Sequence, residues 1–414
     1  MSLQGPLIVV ADHPAVELVA ALRAAGAFPV VESNWTDAPT AFVAVKPVAI
    51  VLAASREPPN ESAARMLGLQ VATANGPIVP VVAISDPRAA PALPLALPVA
   101  PDAERLVARL ESALRIRALH ETVLRRCESF ASRHGYLPQW PEGDALEDAS
   151  VLLVGRGPVY AALGVAFGEQ VRTTGALSID TALKHLATRD VDGIVIADGL
   201  SPRMIENFLA VLSEETTLRD MPLAALADTP AAHTPNVDPI DPDPARAVAH
   251  MLPLARLHAF ETRLKRMLGS LDGGGMLDPA TGLLTRDCFF RDLAKAVAEA
   301  TERSQPLSLA RFSFDGPLDY RAGLDGARLV TRLIRAIDFA TQDEDGAILI
   351  AFTQTDLRSA HVVARRIAGL LKTTMLGPSH GRVTANVTLA SFKAGDTPDT
   401  MMLRVTGSRM VAAE

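Results

Sequence analysis

Arg335 and Asp338, spaced Arg-Ala-Ile-Asp, and Arg366 further along the chain are the residues with the most specific recognition chemistry in this sequence. A guanidinium is a planar fork that can bond guanine O6/N7 or a phosphate bidentately, and it can stack on a base. A carboxylate three residues on can accept from the N1 and N2 donors of a guanine. The competing reading of an Arg-x-x-Asp by itself is a solvated i,i+3 salt bridge worth little. A second cluster, Glu344 and Asp345 in the run Glu344-Asp345-Gly346-Ala347-Ile348, offers adjacent acids that could hold a cation.

These side chains need elements to position them. The pattern predicts a helix over 329–337, which puts Arg335 and Asp338 on one side near its C-terminal end. A further helix over 357–371 presents Arg366, with Arg365 pointing elsewhere. Upstream, short apolar runs at 7–10, 28–31, 48–52 and 80–84 alternate with amphipathic stretches. That alternation implies a parallel sheet covered on both faces. A long Arg- and Leu-rich helix from 102 to about 129 closes this first unit. Residues 133–148 break the periodicity, and the alternation restarts with strands at 151–154, 193–197 and 222–225 and helices at 161–167, 179–187 and 205–212. A long helix from 244 to 268 ends this second copy at Gly269, ahead of Gly273-Gly274-Gly275. The resulting division is 1–130, a linker 131–148, 149–268, a glycine-rich joint 269–275, and 276–414.

Composition narrows the function. The 414 residues exceed one hydrophobic core, and 49% are hydrophobic, enough to fold. The net charge of −7 argues against a nucleic-acid surface, and no apolar run approaches the roughly 20 residues of a membrane span. The N-terminus carries no secretory signature, so a cytoplasmic location is expected. Cys127 and Cys288 lie far apart with no metal-ligand spacing and read as reduced thiols. His250 and His258 read as surface or packing residues.

Residues 278–290, Asp-Pro-Ala-Thr-Gly-Leu-Leu-Thr-Arg-Asp-Cys-Phe-Phe, resemble the opening motif of GGDEF (diguanylate cyclase) domains, with Thr285 where Asn is usual. The resemblance covers 276–414 and, with two units before it, extends to the layout of PleD-type regulators. It implies an α/β fold class: two flavodoxin-like (receiver) doubly wound parallel sheets, then a nucleotidyl-cyclase-like α+β GGDEF domain. It also implies that catalysis is lost. Cyclase chemistry needs acids that hold two metal ions against phosphate. The segment Arg311-Phe-Ser-Phe-Asp315-Gly316-Pro317 places Ser313 at the first metal position, and the guanine- and phosphate-contacting elements that follow in the family are missing. Residues 344–348 align with the signature loop but keep neither its paired glycines nor its acids in register. The closing Arg404-Val-Thr-Gly-Ser-Arg-Met lacks the family's C-terminal pattern. The expectation is a chain with no catalytic residue, no metal site and no required cofactor.

What the resemblance retains is the inhibitory R-x-x-D site for cyclic-di-GMP. Arg335 and Asp338 stand at its spacing, five residues ahead of the degenerate signature, and Arg366 aligns with a second ligand-binding arginine. Cyclic-di-GMP is therefore the expected ligand.

Receivers need an acid pair after strand one, an acceptor Asp ending strand three, a hydroxyl after strand four and a Lys after strand five. In the first unit one acid remains (Asp12), Ala53 occupies the acceptor position, Ser85 fits the hydroxyl, and the Lys position falls near Leu97-Pro98. In the second, Gly155-Arg156 replaces the acid pair and Ala197 the acceptor. Asp198 is one position off and reads as a loop carboxylate capping a turn. Both units are expected to be pseudo-receivers that dimerise without phosphorylation. Gly155-Arg156-Gly157 imitates a dinucleotide fingerprint but lacks its third glycine. The run 115–126 reads as the solvated side of a long helix. The combination resembles PopA-type proteins, alphaproteobacterial cell-cycle effectors that bind cyclic-di-GMP, localise to a cell pole and recruit substrates for regulated proteolysis. That implies protein partners and a homodimer. The alternatives are a ligand-independent dimerisation scaffold, or a residual cyclase or GTP sensor using Glu344 and Asp345.

Overall fold

A computed structural model describes residues 3–54, 61–84, 93, 96–215, 218, 220–234, 236–303, 305–315, 320–374 and 384–407. Ser85, Gly316, Pro317 and the residues from 408 onward, all weighed above, lie outside these. The chain divides into two compact units, Met1–His120 with Pro141–Lys265 and Glu121–Trp140 with Arg266–Glu414.

The N-terminal unit holds two five-stranded parallel sheets. The first comprises β1 (Gln4–Val10), β2 (Phe28–Ser33), β3 (Ala49–Leu52), β4 (Val81–Ile84) and β5 (Leu97–Val99), in the order β2-β1-β3-β4-β5. The second comprises β6 (Ser150–Val154), β7 (Arg172–Ala176), β8 (Gly193–Ile196), β9 (Leu223–Leu226) and β10 (Asp238–Ile240), in the order β10-β9-β8-β6-β7. Read from the other edge, this repeats the first order, 2-1-3-4-5, that of doubly wound flavodoxin-like sheets.

Helices cover both faces because successive strand residues point to opposite sides. In the first sheet Ile8, Val10, Ile50 and Leu52 pack with α2 (Ala38–Val45) and α3 (Glu61–Thr73) through Ala38, Ala64 and Leu67. Leu7, Val9, Ala49 and Val51 face α1 (Val16–Ala24) and α4 (Ala103–His134) through Val19, Leu22, Leu106 and Leu110. After the single-turn helix α5 (Ala145–Asp148), the second sheet repeats the plan. Leu152, Val154, Ile194 and Ile196 meet α7 (Ile179–Thr188) and α8 (Pro202–Glu214), while Val151, Leu153 and Val195 meet α6 (Pro158–Gly168) and α9 (Pro244–Leu271).

Three strands were not visible in the sequence pattern. Strand β7 is an edge strand with the polar run Arg-Thr-Thr-Gly, and β5 and β10 are three residues long and contain proline. Helix α9 also passes Gly269, where the pattern placed its end, and stops at Leu271. Burial of Leu264, Met267 and Leu271 holds the extra turn.

The run 115–126 is corrected as well. Arg117, His120, Glu121, Arg125 and Arg126 are all buried. Arg117 donates to the carbonyls of Pro77 and Ile78 at 3.0 and 2.7 Å, and Ile78 N donates to His120 Nδ1 at 3.1 Å. A periodicity reading counts these side chains as solvated because it cannot see the carbonyls they meet. Burial, reinforced by Arg117, lowers the His120 pKa to about 4. The unfolded chain takes up a proton near pH 6.5 that the folded chain refuses until about pH 4. The N-terminal unit should therefore lose about 3 kcal/mol across that window. Urea titrations at stepped pH should show that loss in the native chain and a flatter profile in His120→Gln.

The C-terminal unit is built on an antiparallel sheet, in the order β12-β13-β11-β14. Its strands are β11 (Leu307–Phe314), β12 (Phe339–Gln342), β13 (Ile348–Thr353) and β14 (Ala385–Ser391). Its helices are α10 (Arg286–Arg303), α11 (Tyr320–Leu333), α12 (Leu357–Thr374) and α13 (Pro398–Thr406). Helices α11 and α12 bury Ala327, Val330, Ala364 and Ile367 on one face, against Phe312, Ile348, Ile350 and Phe352. No described helix is long and apolar enough to cross a membrane.

Candidate functional site

The opening motif of the C-terminal unit is a turn. One Asp278 oxygen accepts from Ala280 N, Thr281 N and Thr281 Oγ1 at 2.8–3.1 Å, and this holds its carboxyl below the usual range. Gly282 takes φ +71, a left-handed conformation that costs a side-chain-bearing residue, and Leu283 and Leu284 then enter the core. The motif's Asp, Thr and Gly are thus spent on folding the chain into the sheet.

Arg335 and Asp338 do not lie on a helix. α11 ends at Leu333, and Asp338 N donates to Arg335 O at 2.9 Å to close a turn. The expected 329–337 helix is cut short because the Asp338 carboxylate competes for local donors. Asp338 Oδ2 takes Arg335 N and Nε at 3.3 and 2.9 Å, and Oδ1 takes Arg335 Nη2 and Thr353 N at 2.9 and 3.1 Å. Arg335 Nη2 also donates to Thr353 O at 3.1 Å and Thr355 Oγ1 at 2.7 Å. The pair is asymmetric, with an Asp338 side chain 2% exposed and an Arg335 side chain 42% exposed. Burial pushes the Asp338 carboxyl up, opposed by Arg335 and its hydrogen bonds. One guanidinium edge thus closes on the protein, while Nη1 makes no hydrogen bond among the described residues. Thr353 and Thr355 complete this cradle; nothing in the spacing marked them, since they arrive from the far end of β13.

Arg366 is exposed on α12, between the buried Ala364 and Ile367. Among the described residues no hydrogen bond or ion pair joins it to Arg335 or Asp338.

Residues 344–348 form the tip of the β12–β13 hairpin. Asp343 N donates to Ala347 O at 2.8 Å, Gly346 has φ +82, and Ala347 and Ile348 are buried. Both acids are paired with arginine. Glu344 meets Arg286 Nη1 at 3.1 Å, Asp343 meets Arg286 Nε at 3.1 Å, and Asp345 meets Arg311. Arg286 belongs to the opening motif, but its partner could not be read from spacing. Ser313 lies one residue past Phe312, which pairs with Ile348, and opposite Asn386 on β14; Asn386 Nδ2 donates to Asp315 at 2.6 Å. No group of three or more His, Cys, Asp or Glu side chains among the described residues is arranged to hold a metal ion.

In the N-terminal unit Ala53 N donates to Val10 O at the end of β3, and Ala197 is buried at the end of β8. Asp198 caps α6: its two oxygens take Val159 N at 3.2 Å and Tyr160 N at 2.9 Å. The helix N-terminus that an anion would occupy is filled by this carboxylate. A Cβ on Gly157 would sit 2.0 Å from Asp198 Oδ2, which explains the glycine there. His250 and His258 pack against carboxylates, His250 Nε2 3.6 Å from Asp238 and His258 Nδ1 3.0 Å from Asp192.

No protein-family profile matches the chain, and no curated protein sequence matches it. Solved structures similar to part of it are GGDEF domains. The coiled coil and GGDEF domain of DgcB from Caulobacter crescentus, in complex with c-di-GMP, is 20% identical with a TM-score of 0.30, over 35% of this chain and 84% of that one. The diguanylate cyclase SiaD with its activator SiaC, from Pseudomonas aeruginosa, is 21% identical with a TM-score of 0.30, over 35% of this chain and 62% of that one. The FimX GGDEF domain, also from Pseudomonas aeruginosa, is 16% identical with a TM-score of 0.29, over 32% and 90%.

Proposed function

We propose that the C-terminal unit is a degenerate GGDEF-type domain that binds cyclic-di-GMP without catalysis, and that the chain is a PopA-like effector coupling this ligand to protein recruitment. The observation that carries the non-catalytic reading is the charge state of the hairpin. Every acid at its tip is matched by Arg286 or Arg311, and Ser313 supplies no carboxylate at the metal position. Two cations and a triphosphate would have to displace those arginines first.

The receptor reading rests on Arg335. Its guanidinium is pre-oriented by Asp338 and Thr355, and its Nη1 edge remains open to a guanine or a phosphate. A planar fork already fixed in direction loses little freedom on binding. In this reading Arg366 supplies a second contact from α12, and the two flavodoxin-like sheets are pseudo-receivers serving dimerisation and partner docking at a cytoplasmic, pole-associated location. Gly155-Arg156 and Ala197 leave Asp198 without companion acids, and its oxygens already cap α6, so phosphorylation is no part of the proposal.

Calorimetric titration of cyclic-di-GMP into the full chain tests this directly. Saturable binding should fall at least about a hundredfold in Arg335→Ala, the loss of a charge-assisted bidentate contact, and by less in Arg366→Ala. Heat that is absent from the native chain, or unchanged in Arg335→Ala, sinks the receptor. One observation favours a second reading: Asp338 already accepts four hydrogen bonds, which suits a turn lock in a ligand-independent scaffold. In that case Arg335→Ala lowers the melting temperature and no ligand raises it.

A further inference from the structure

Both residues that flank the Arg335–Asp338 pair reach the same helix. Gln354 lies between Thr353 and Thr355, the two residues that hold Arg335 Nη2, and its Nε2 donates to Glu121 Oε2 at 3.0 Å. Phe339 follows Asp338 directly, and the Arg125 guanidinium lies 5.3 Å from its ring centroid. Glu121 and Arg125 stand one turn apart on α4, 5% and 3% exposed. Each is fixed from behind by α10, Glu121 by Arg303 and Arg125 by Glu299 at 2.6 Å. Neither contact is therefore a solvated pair free to re-form elsewhere.

The backbone at Gln354 is also constrained. It holds φ +49, where a residue with a side chain is unusual and is kept by its surroundings. Thr353 is bonded through N, O and Oγ1, and Thr355 through Oγ1 to Arg335 and through O to Ser308 Oγ. A change in how Arg335 is held must therefore act on a segment with few alternatives, and that segment's side chain ends on α4.

We propose that α4, through Glu121 and Arg125, reads the state of the Arg335–Asp338 pair, so that a guanine nucleotide bound there alters α4. This rests on the reading of Arg335 as a ligand site. A ligand on the open Nη1 edge loads a guanidinium whose Nη2 holds Thr353 O and Thr355 Oγ1, and Gln354 and Phe339 carry the change across. Residues 121–134 of α4 belong to the C-terminal unit and its earlier residues to the N-terminal one, so the helix that reads the pair is shared by both. Coupling of this kind is reciprocal: whatever loosens the α4 contacts must change ligand affinity.

The experiment is hydrogen exchange of amides 121–134 in the full chain, with and without cyclic-di-GMP, alongside calorimetry on the native chain and on Gln354→Gly. Glycine tolerates the left-handed backbone, so this variant removes only the side-chain link. Ligand should change exchange in 121–134 by about tenfold. Gln354→Gly should cut that change to less than about half and shift the dissociation constant about fivefold, the range of measured allosteric couplings. If ligand binds but exchange does not move, or Gln354→Gly alters neither quantity, the coupling is overturned and the receptor reading stands. If no ligand binds, the receptor reading fails and Arg335→Ala decides the coupling, because it opens the pair chemically. Altered exchange in 121–134 then supports the link, and unaltered exchange overturns it. Asp338→Asn opens the same pair should Arg335→Ala fail to fold.

Discussion

Asp292→Ala should be the most destabilising single substitution in the C-terminal unit, by about 3–5 kcal/mol. Asp292 is fully buried on α10, with Oδ2 on Arg126 Nε at 3.0 Å and Oδ1 on Ser129 Oγ at 2.6 Å. Arg126 is itself 5% exposed and, among the described residues, otherwise bonds only Asp272, at 2.5 Å. Removing the carboxylate leaves a buried guanidinium half compensated and a hydroxyl without an acceptor, and both lose hydration they cannot regain. The cost comes from the orphaned partner, so removing both should cost less than removing one. Arg126→Met combined with Asp292→Leu should recover most of the loss, since a packed apolar pair often matches a buried ion pair. Urea unfolding followed by near-ultraviolet circular dichroism tests this, with a midpoint shift of more than about 1 M expected for the single variant. A single-variant loss below about 1 kcal/mol would show that water reaches this site.

Asp238→Asn should act comparably on the N-terminal unit and in a pH-dependent way. Burial raises the Asp238 pKa, but Arg109 and His250 outweigh it and hold the carboxyl well below its usual range. A carboxylate depressed in the folded state stabilises above its unfolded pKa, near 3.9, and that stabilisation is lost as the pH falls below it. At pH 7 the native chain should therefore exceed Asp238→Asn by about 2–4 kcal/mol, because the half-buried Arg109 is left beside a neutral amide. As the pH falls below 4 the gap should narrow, the native chain losing stability faster than the variant. Paired unfolding curves at pH 7 and pH 3 give the measurement. A gap that stays constant would mean the Arg109 contact contributes through shape rather than charge.

Both sites show where sequence reading stops. The alternation of apolar runs such as 7–10, 48–52 and 193–197 is local, so two doubly wound sheets were legible from it. A strand buried on both faces leaves a continuous hydrophobic signature whatever it packs against. Strand β7 has no such signature because an edge strand whose Arg-Thr-Thr run is exposed or half-buried need not be apolar. The departures of Glu344 to Ile348 and of Ser313 from a linear motif were legible too. What the acids do instead was not, because Arg286 and Arg311 reach them only after the sheet has formed.

Which residue types were available was legible in the chain alone: an Arg-x-x-Asp at a fixed spacing, and Ala53 and Ala197 just past β3 and β8. Local periodicities also marked the apolar central strands and the long helices, because hydrophobic patterning and turn chemistry act over a few residues. It takes the folded chain to bury Arg117, Arg125 and Arg126, to set Asp198 as the cap of α6, and to join Arg335 with Thr353 and Thr355 in one cradle. Each of these depends on a partner between 18 and 174 residues away, where the energy lies in desolvation and hydrogen-bond geometry, and neither has a period.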